Sequence, residues 1–295
     1  MLHKYTILFI SVIALTVGCA QVPNQHSAQM GNLLLVEPIP ADPRTQLAIA
    51  RFNFILNQAD IAESERAELL YQRGMLYDSM GLSSLAQFDY SQVLKLQPTM
   101  AEAYNSIGIH YTQQQEYLQA YEAFDSSIDL NPEYEFAFLN RGIALYYGGE
   151  PRLAVDDLKR FLSNDRSDPY RAIWLYIVQR EVDPIAARAE LKELRVQLNP
   201  DMWANNIVDF YLGELTETQL LARLVDNITN RTELNNRVCE AYFYIGKYHG
   251  SLGNKGRASN YFKLALSTNV YEFVEHRYAR LELERLTERT VATDS

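Results

Sequence analysis

No stretch of this chain keeps up the alternation of apolar and polar residues at every second position that a half-buried strand needs, so the pattern predicts helices and no sheet. A longer rhythm lies over the helical one. Glycine falls at Gly74, Gly108 and Gly142, two intervals of 34 residues, within segments that otherwise differ. A bulky residue follows three positions later at Tyr77, Tyr111 and Leu145, and a small one twelve later at Ala86, Ala120 and Ala154. Tyr90, Phe124 and Leu158 come sixteen later, and Pro98 and Pro132 close the first two units. A fixed period of this size marks stacked helix pairs.

The register resembles the tetratricopeptide repeat, a helix-turn-helix unit. Each position has a physical reason. A glycine inside a helix costs about 1 kcal/mol against alanine, which is tolerable if the missing side chain lets the partner helix approach. Ala86, Ala120 and Ala154 serve the same approach from the second helix, while Gly81 and Gly149 fall where the first helix must end. The second unit has Gln115 there, a less suitable turn residue. A fourth copy appears at Gly246, with Gly253, Ala258 and Phe262 in matching places. The expectation is an all-α solenoid over residues 43–286, with clear repeats at 67–100, 101–134, 135–168 and 239–272 and degenerate helix pairs over 169–238. Asp168-Pro169 and Asp183-Pro184 read as N-caps followed by proline at the first helical position, and Thr216 with Gln219 as a capping box. These signals predict helices at roughly 169–180, 184–198, 201–212 and 217–228.

The two ends differ from the middle. Lys4 followed by the mostly apolar run Tyr5 to Val17 reads as a secretion signal over residues 1–18, too short for a comfortable membrane span. Leu15-Thr16-Val17-Gly18-Cys19 resembles a bacterial lipobox, which implies acylation of Cys19. Ala20, not aspartate, follows, which favours the periplasmic face of the outer membrane. Residues 19–42 are rich in polar residues and proline and read as a tether. The segment from Pro43 to Gln58 is apolar nearly all round, so it either caps the repeats or also meets a second subunit. Val274, Tyr278 and Leu281 share one face of a terminal capping helix, and residues 287–295 read as a polar tail.

Composition narrows the function. The chain of 295 residues carries a net charge of −10, and removal of residues 1–18 would take away one lysine and no acid. Such a chain repels phosphate backbones and shows no basic stripe, so nucleic-acid binding is not expected. With Cys19 acylated, Cys239 has no partner for an intrachain disulfide; it is either a packed core residue or an intermolecular bridge. The sequons at Asn227 and Asn230 read as helix-end chemistry. The catalytic signatures His-Glu-x-x-His, Gly-x-Ser-x-Gly and Cys-x-x-Cys are absent, and no metal or cofactor site is expected.

Four segments go beyond a generic repeat: Tyr77 to Gly81, Arg141 to Gly149, Ile207 to Gly213 and Phe273 to Ala279. Together they resemble the NlpI-type outer-membrane lipoproteins over about residues 45 to 286. That resemblance implies a dimeric, non-catalytic periplasmic adaptor that binds murein endopeptidases and a tail-specific processing protease, promoting proteolysis of a cell-wall hydrolase. A subunit of an outer-membrane assembly or pilus-secretion complex is the alternative reading, and a murein hydrolase a third. The dimer contacts would come from Leu47, Phe52, Phe54 and Ile55. If the first helices of the pairs line a concave face, the partner-binding candidates are Tyr71, Met75, Asp78, Asn105, Ile109, Leu139, Ile143, Tyr146 and Tyr147. Tyrosine suits an interface by its large contact area and polar tip, although Tyr147 can equally pack against the next repeat. The cationic clamp by which chaperone-type repeats hold a peptide carboxylate has no counterpart, its places being taken by Tyr71, Met75, Ser106, Phe136 and Asn140.

Overall fold

The computed structural model describes residues 33–291 apart from Ala59, with side chains described as far as Thr287. The signal segment, Cys19 and the tether through Asn32 lie outside the described residues. Within them the chain forms fourteen α-helices, one turn of 3-10 helix and no strand.

Asp42 starts the first helix, α1 (Pro43–Leu56), by accepting the Arg44 N–H at 2.8 Å ahead of proline at the first helical position. Three helix pairs follow: α2 (Glu63–Ser79) with α3 (Ser83–Leu96), α4 (Ala101–Gln113) with α5 (Tyr117–Leu130), and α6 (Glu135–Tyr147) with α7 (Pro151–Asn164). Each pair turns on a residue in the left-handed region, Gly81 at φ +73°, Gln115 at +62° and Gly149 at +90°. Gln115 takes the glycine conformation despite its Cβ, at a cost of about 1–2 kcal/mol.

Inside each pair the period has a clear cause. A Cβ at Gly74 would lie 2.6 Å from the Tyr90 ring, and one at Gly108 would lie 2.6 Å from Phe124. The same construction gives 2.7 Å between Gly246 and Phe262 and 3.0 Å between Gly142 and Leu158. The bare backbone of one helix is the floor on which the bulky residue of the next lies, while Ala86, Ala120, Ala154 and Ala258 are fully buried on the opposing helix. Two pairs add a clamp in the same register. Arg73 donates to both oxygens of Asp89 at 2.7 and 2.6 Å, and Arg141 to both oxygens of Asp157 at 2.8 and 2.7 Å.

The middle of the chain holds α8 (Pro169–Gln179), α9 (Pro184–Arg195), α10 (Asn205–Leu212) and α11 (Glu217–Ala222), the last running into a 3-10 turn at Arg223–Val225. Asp168, Asp183 and the Thr216–Gln219 capping box start three of them. The expected start near 201 falls instead at Asn205, whose side-chain amide binds the carbonyls of Asn199 and Met202 and holds a turn there. The fourth pair is α12 (Arg231–Ser251) with α13 (Lys255–Leu266). It begins before the expected boundary at 239, because Asn230 accepts the Glu233 N–H at 2.9 Å and caps an extra two turns. Asn227 is left-handed at φ +54°, so both sequon asparagines shape this helix start. Cys239 is fully buried in α12, a packed core residue out of reach of any bridge, and burial pushes its thiol well above the usual range.

Two expectations about the ends are corrected. Residues 33–40 are not free tether: Tyr242 donates to the Leu34 carbonyl at 2.6 Å, Asn235 to that of Glu37 at 2.8 Å, and the Ile39 N–H to that of Thr268 at 3.1 Å. The segment is an extended strap over the fourth pair. At the other end α14 (Val274–Val291) continues past residue 286 where a polar tail was expected, with no glycine or proline to stop it. It packs against α4, α12 and α13, and Tyr278 stacks toward Tyr147 and Trp174 at centroid distances of 5.3 and 6.4 Å.

Candidate functional site

The inner side formed by the first helices of the pairs is occupied by α14. Its first half buries one apolar face through Tyr278, Ala279 and Leu281. Its second half is held by polar bonds. Tyr147 donates to Glu282 Oε1 at 2.9 Å, and Arg285 donates to the Tyr147 carbonyl at 2.7 Å and the Tyr117 hydroxyl at 3.1 Å. Lys247 pairs with the same Glu282 oxygen and donates to the Tyr146 hydroxyl at 2.7 Å. Burial opposes the charge on Lys247, yet Glu282 and Tyr146 outweigh it and hold the ammonium above its ordinary pKa. Burial, with Glu282 beside it, pushes the Tyr147 hydroxyl well up.

Two open cavities flank this helix. One, of about 350 Å³, lies between the ends of α2 and α4 and the α13–α14 region, with Asp78, His110, Tyr271, Arg277 and Arg280 in its wall. The other, of about 460 Å³, is lined by Tyr146, Tyr147, Arg180, Lys247, Glu282 and Arg285. At about 100° per residue, the α14 residues of the two linings fall on opposite faces of the helix.

The predicted partner residues separate accordingly. Asp78 and Ile109 line the first cavity, and Tyr146 and Tyr147 the second. Met75 is exposed and Tyr71 half-buried against Tyr90. Asn105, Leu139 and Ile143 are buried, and only 2 % of Tyr147 is exposed, so these four offer no free surface to a partner. The reason is packing: α4 lies against α6, and α14 covers α4. Asn105 serves the interior, accepting from Asn140 at 3.0 Å and donating to Tyr134 at 3.4 Å. On α1, Leu47 and Phe54 are 72 % and 71 % exposed, Ile55 is half-buried, and Phe52 is spent against Leu56, Ala67 and Leu70 of the same chain. Sequence reasoning missed the residues that fix α14. Nothing in the local sequence marks Lys247 or Glu282 as a buried charge.

A second polar cluster sits away from the groove. Glu240, fully buried in α12, accepts on one oxygen from Tyr170 and from Trp203, both at 2.7 Å, while Glu275 accepts from Tyr244 at 2.6 Å. Burial first, then the Glu275 charge, pushes Glu240 up to about 8, and burial raises Glu275 as well. These bonds tie α12 to α8 and to the turn before α10, and α14 to α12. Among the described residues no group of three or more histidine, cysteine or acidic side chains is disposed to hold a metal ion, and no helix is long and apolar enough to cross a membrane.

A family model described as tetratricopeptide repeat matches residues 67–100, and the described residues form a helical-repeat solenoid. Several solved structures are similar to it. MamA shares 23% identity over 54% of this chain and 96% of its own, at a TM-score of 0.46. A tetratricopeptide repeat protein from Parabacteroides merdae shares 16% over 83% of this chain and all of its own, at 0.48. The pilF protein of Pseudomonas aeruginosa shares 16% over 81% and 95%, at 0.42.

Proposed function

We propose that this protein is a non-catalytic, lipid-anchored periplasmic adaptor at the outer membrane, and that it brings murein endopeptidases together with a tail-specific processing protease. The observation that carries an adaptor reading is the pair of cavities on opposite faces of α14, built from different repeats and so able to engage two clients at once. The four sequence segments quoted above supply the partner classes. Anchoring through Cys19 would hold adaptor and clients at one surface and raise their effective concentration without new contacts. The stripe of Leu47 and Phe54 on α1 suits a second copy of the chain, since exposed aliphatic and aromatic residues seven positions apart lie on one helix face.

Crosslinked capture from the native envelope, read by mass spectrometry, tests this reading. Recovery of a tail-specific protease with murein endopeptidases supports it. Recovery of barrel-assembly or pilus components in their place overturns it.

A further inference from the structure

Large aliphatic side chains stand exposed on the turns at one end of the solenoid: Leu118 at the start of α5, Leu153 at the start of α7, Ile185 at the start of α9, and Leu252 between α12 and α13. Their contacts show that these turns share an end. Gly149 and Pro151, Arg180 and Glu181, and Gly250 and Ser251 all line the cavity of about 460 Å³, which brings the last three turns together. Arg285 in that lining donates to the Tyr117 hydroxyl and to the Tyr147 carbonyl, which adds the start of α5. A single exposed aliphatic is ordinary on a protein surface, but its recurrence on four turns around one opening marks a contact surface.

The strap indicates what covers this end. Its Leu34 carbonyl is held by Tyr242 and its Glu37 carbonyl by Asn235, so it runs antiparallel to α12. Leu33 therefore lies toward the C-terminal end of α12, and from Tyr242 that helix rises only about 15 Å to the Leu252 turn. The chain from Cys19 to Leu33 spans about 20 Å as a coil. An acyl group on Cys19 thus keeps this end of the solenoid within reach of the bilayer that holds it.

The chemistry of the turns suits an uncharged lipid surface. Exposed Arg152 and Lys255 stand among exposed Glu150, Glu181 and Asp183, so no excess of positive charge is present to select anionic lipid. Zwitterionic headgroups do not repel a chain of net charge −10. Aliphatic tips on separate turns can each enter a fluid interface, whereas a protein partner would need them joined in one packed patch.

We propose that this end of the solenoid rests on a zwitterionic lipid surface, with Leu118, Leu153, Ile185 and Leu252 in its interfacial layer. The inference rests on the lipid-anchored reading and deepens it, since docking fixes which end of the adaptor faces the membrane and leaves the α1 stripe and the other end to protein partners.

Helix α9 supplies an internal ruler for the test. Ile185 at its start and Val196 just past its end are 84 % and 86 % exposed, about 16 Å apart along the axis. Full-length chain carrying Ile185→Trp, Leu252→Trp or Val196→Trp would be purified from its native envelope and reconstituted into phosphatidylcholine vesicles, with acyl chains either plain or brominated near the headgroup. The emission of each added tryptophan is read as the difference from the parent chain. Ile185→Trp and Leu252→Trp should shift to the blue and lose emission to brominated lipid, while Val196→Trp should do neither. Melting temperatures should stay at the parent value, because all three sites are exposed. No loss at Ile185→Trp, no loss at Leu252→Trp, or an equal loss at Val196→Trp would each overturn the proposal. Mass spectrometry of the same samples separates the two readings. An acyl group on Cys19 without emission loss removes the docking alone, whereas its absence removes the lipid anchor and the docking with it.

Discussion

Tyr147 donates its hydroxyl hydrogen to Glu282 at 2.9 Å across 135 positions of sequence, and the same carboxylate oxygen takes the Lys247 ammonium. A groove-lining tyrosine and a terminal-helix acid thus share one buried charge pair. Removing one partner strands the other, whereas removing both strands nothing.

Glu282→Gln should therefore destabilise the protein by about 3 kcal/mol, and Lys247→Met by a similar amount, with the double variant losing less than either single change. Urea unfolding of all four proteins measures this. Amide hydrogen exchange should show faster opening from residue 282 onward in the single variants, with Tyr278 and Leu281 still protected. An additive double variant would refute the coupling.

Gly108→Ala and Gly256→Ala should have opposite signs. At Gly108 the new methyl meets the Phe124 ring at 2.6 Å, which costs about 1–3 kcal/mol in overpacking. At Gly256 nothing lies within 4 Å, and alanine should gain about 0.5–1 kcal/mol from helix propensity. Thermal melts followed by circular dichroism separate the two, and a shared sign would show that the close approach is relaxed by ring movement.

Much of the repeat fold was legible because its cause is local and periodic. A ring on one helix needs bare backbone on the other, so glycine and aromatic positions recur together, as at Gly74 with Tyr90. The arginine clamp was equally written in the chain, as Arg73-Gly74 and Arg141-Gly142 with aspartate sixteen residues beyond the arginine, but polar positions outside the repeat register draw no attention. The strap had a visible sign too, the apolar run Leu33 to Val36 inside an otherwise polar segment. What could not be read was the filling of the groove. Whether α14 caps the last repeat or crosses to α4 depends on solenoid curvature, which accumulates over many small rotations and has no residue of its own. Leu139 and Ile143 offer no free surface because α6 is packed against its neighbours α4, α5 and α7.

Glu240 makes stability fall with pH. The folded carboxyl keeps its proton up to about pH 8, whereas a free one releases it near 4.5. Between these values the folded state binds more protons than the unfolded, so this group costs progressively more as pH rises and its cost is complete above about 8. Glu240→Gln keeps an acceptor for Tyr170 and Trp203 without the charge. The variant should gain about 1–3 kcal/mol on wild type between pH 5 and 7.5, read as a flatter profile of urea midpoint against pH. An unchanged slope would count against a neutral buried Glu240.

Phe54→Glu with Leu47→Glu should yield monomer in sedimentation at concentrations where the parent chain is dimeric, with helicity retained because both side chains project from α1 into solvent. A parent chain that sediments as a monomer throughout would remove the α1 dimer from the proposed function.

The strap ties residues 34–39 to α12 and to Thr268, contacts that close loops of about two hundred residues, as in the 208 between Leu34 and Tyr242. Contacts of such long range form late in folding, because closing the loop costs chain entropy before it returns any bonding. During synthesis from the N-terminus the first three repeats can pair and stack while the strap has nothing to bind. Completion of the fold is therefore reported by the last helices to leave the ribosome, and a chain truncated before residue 231 would carry its first described segment as a loose end.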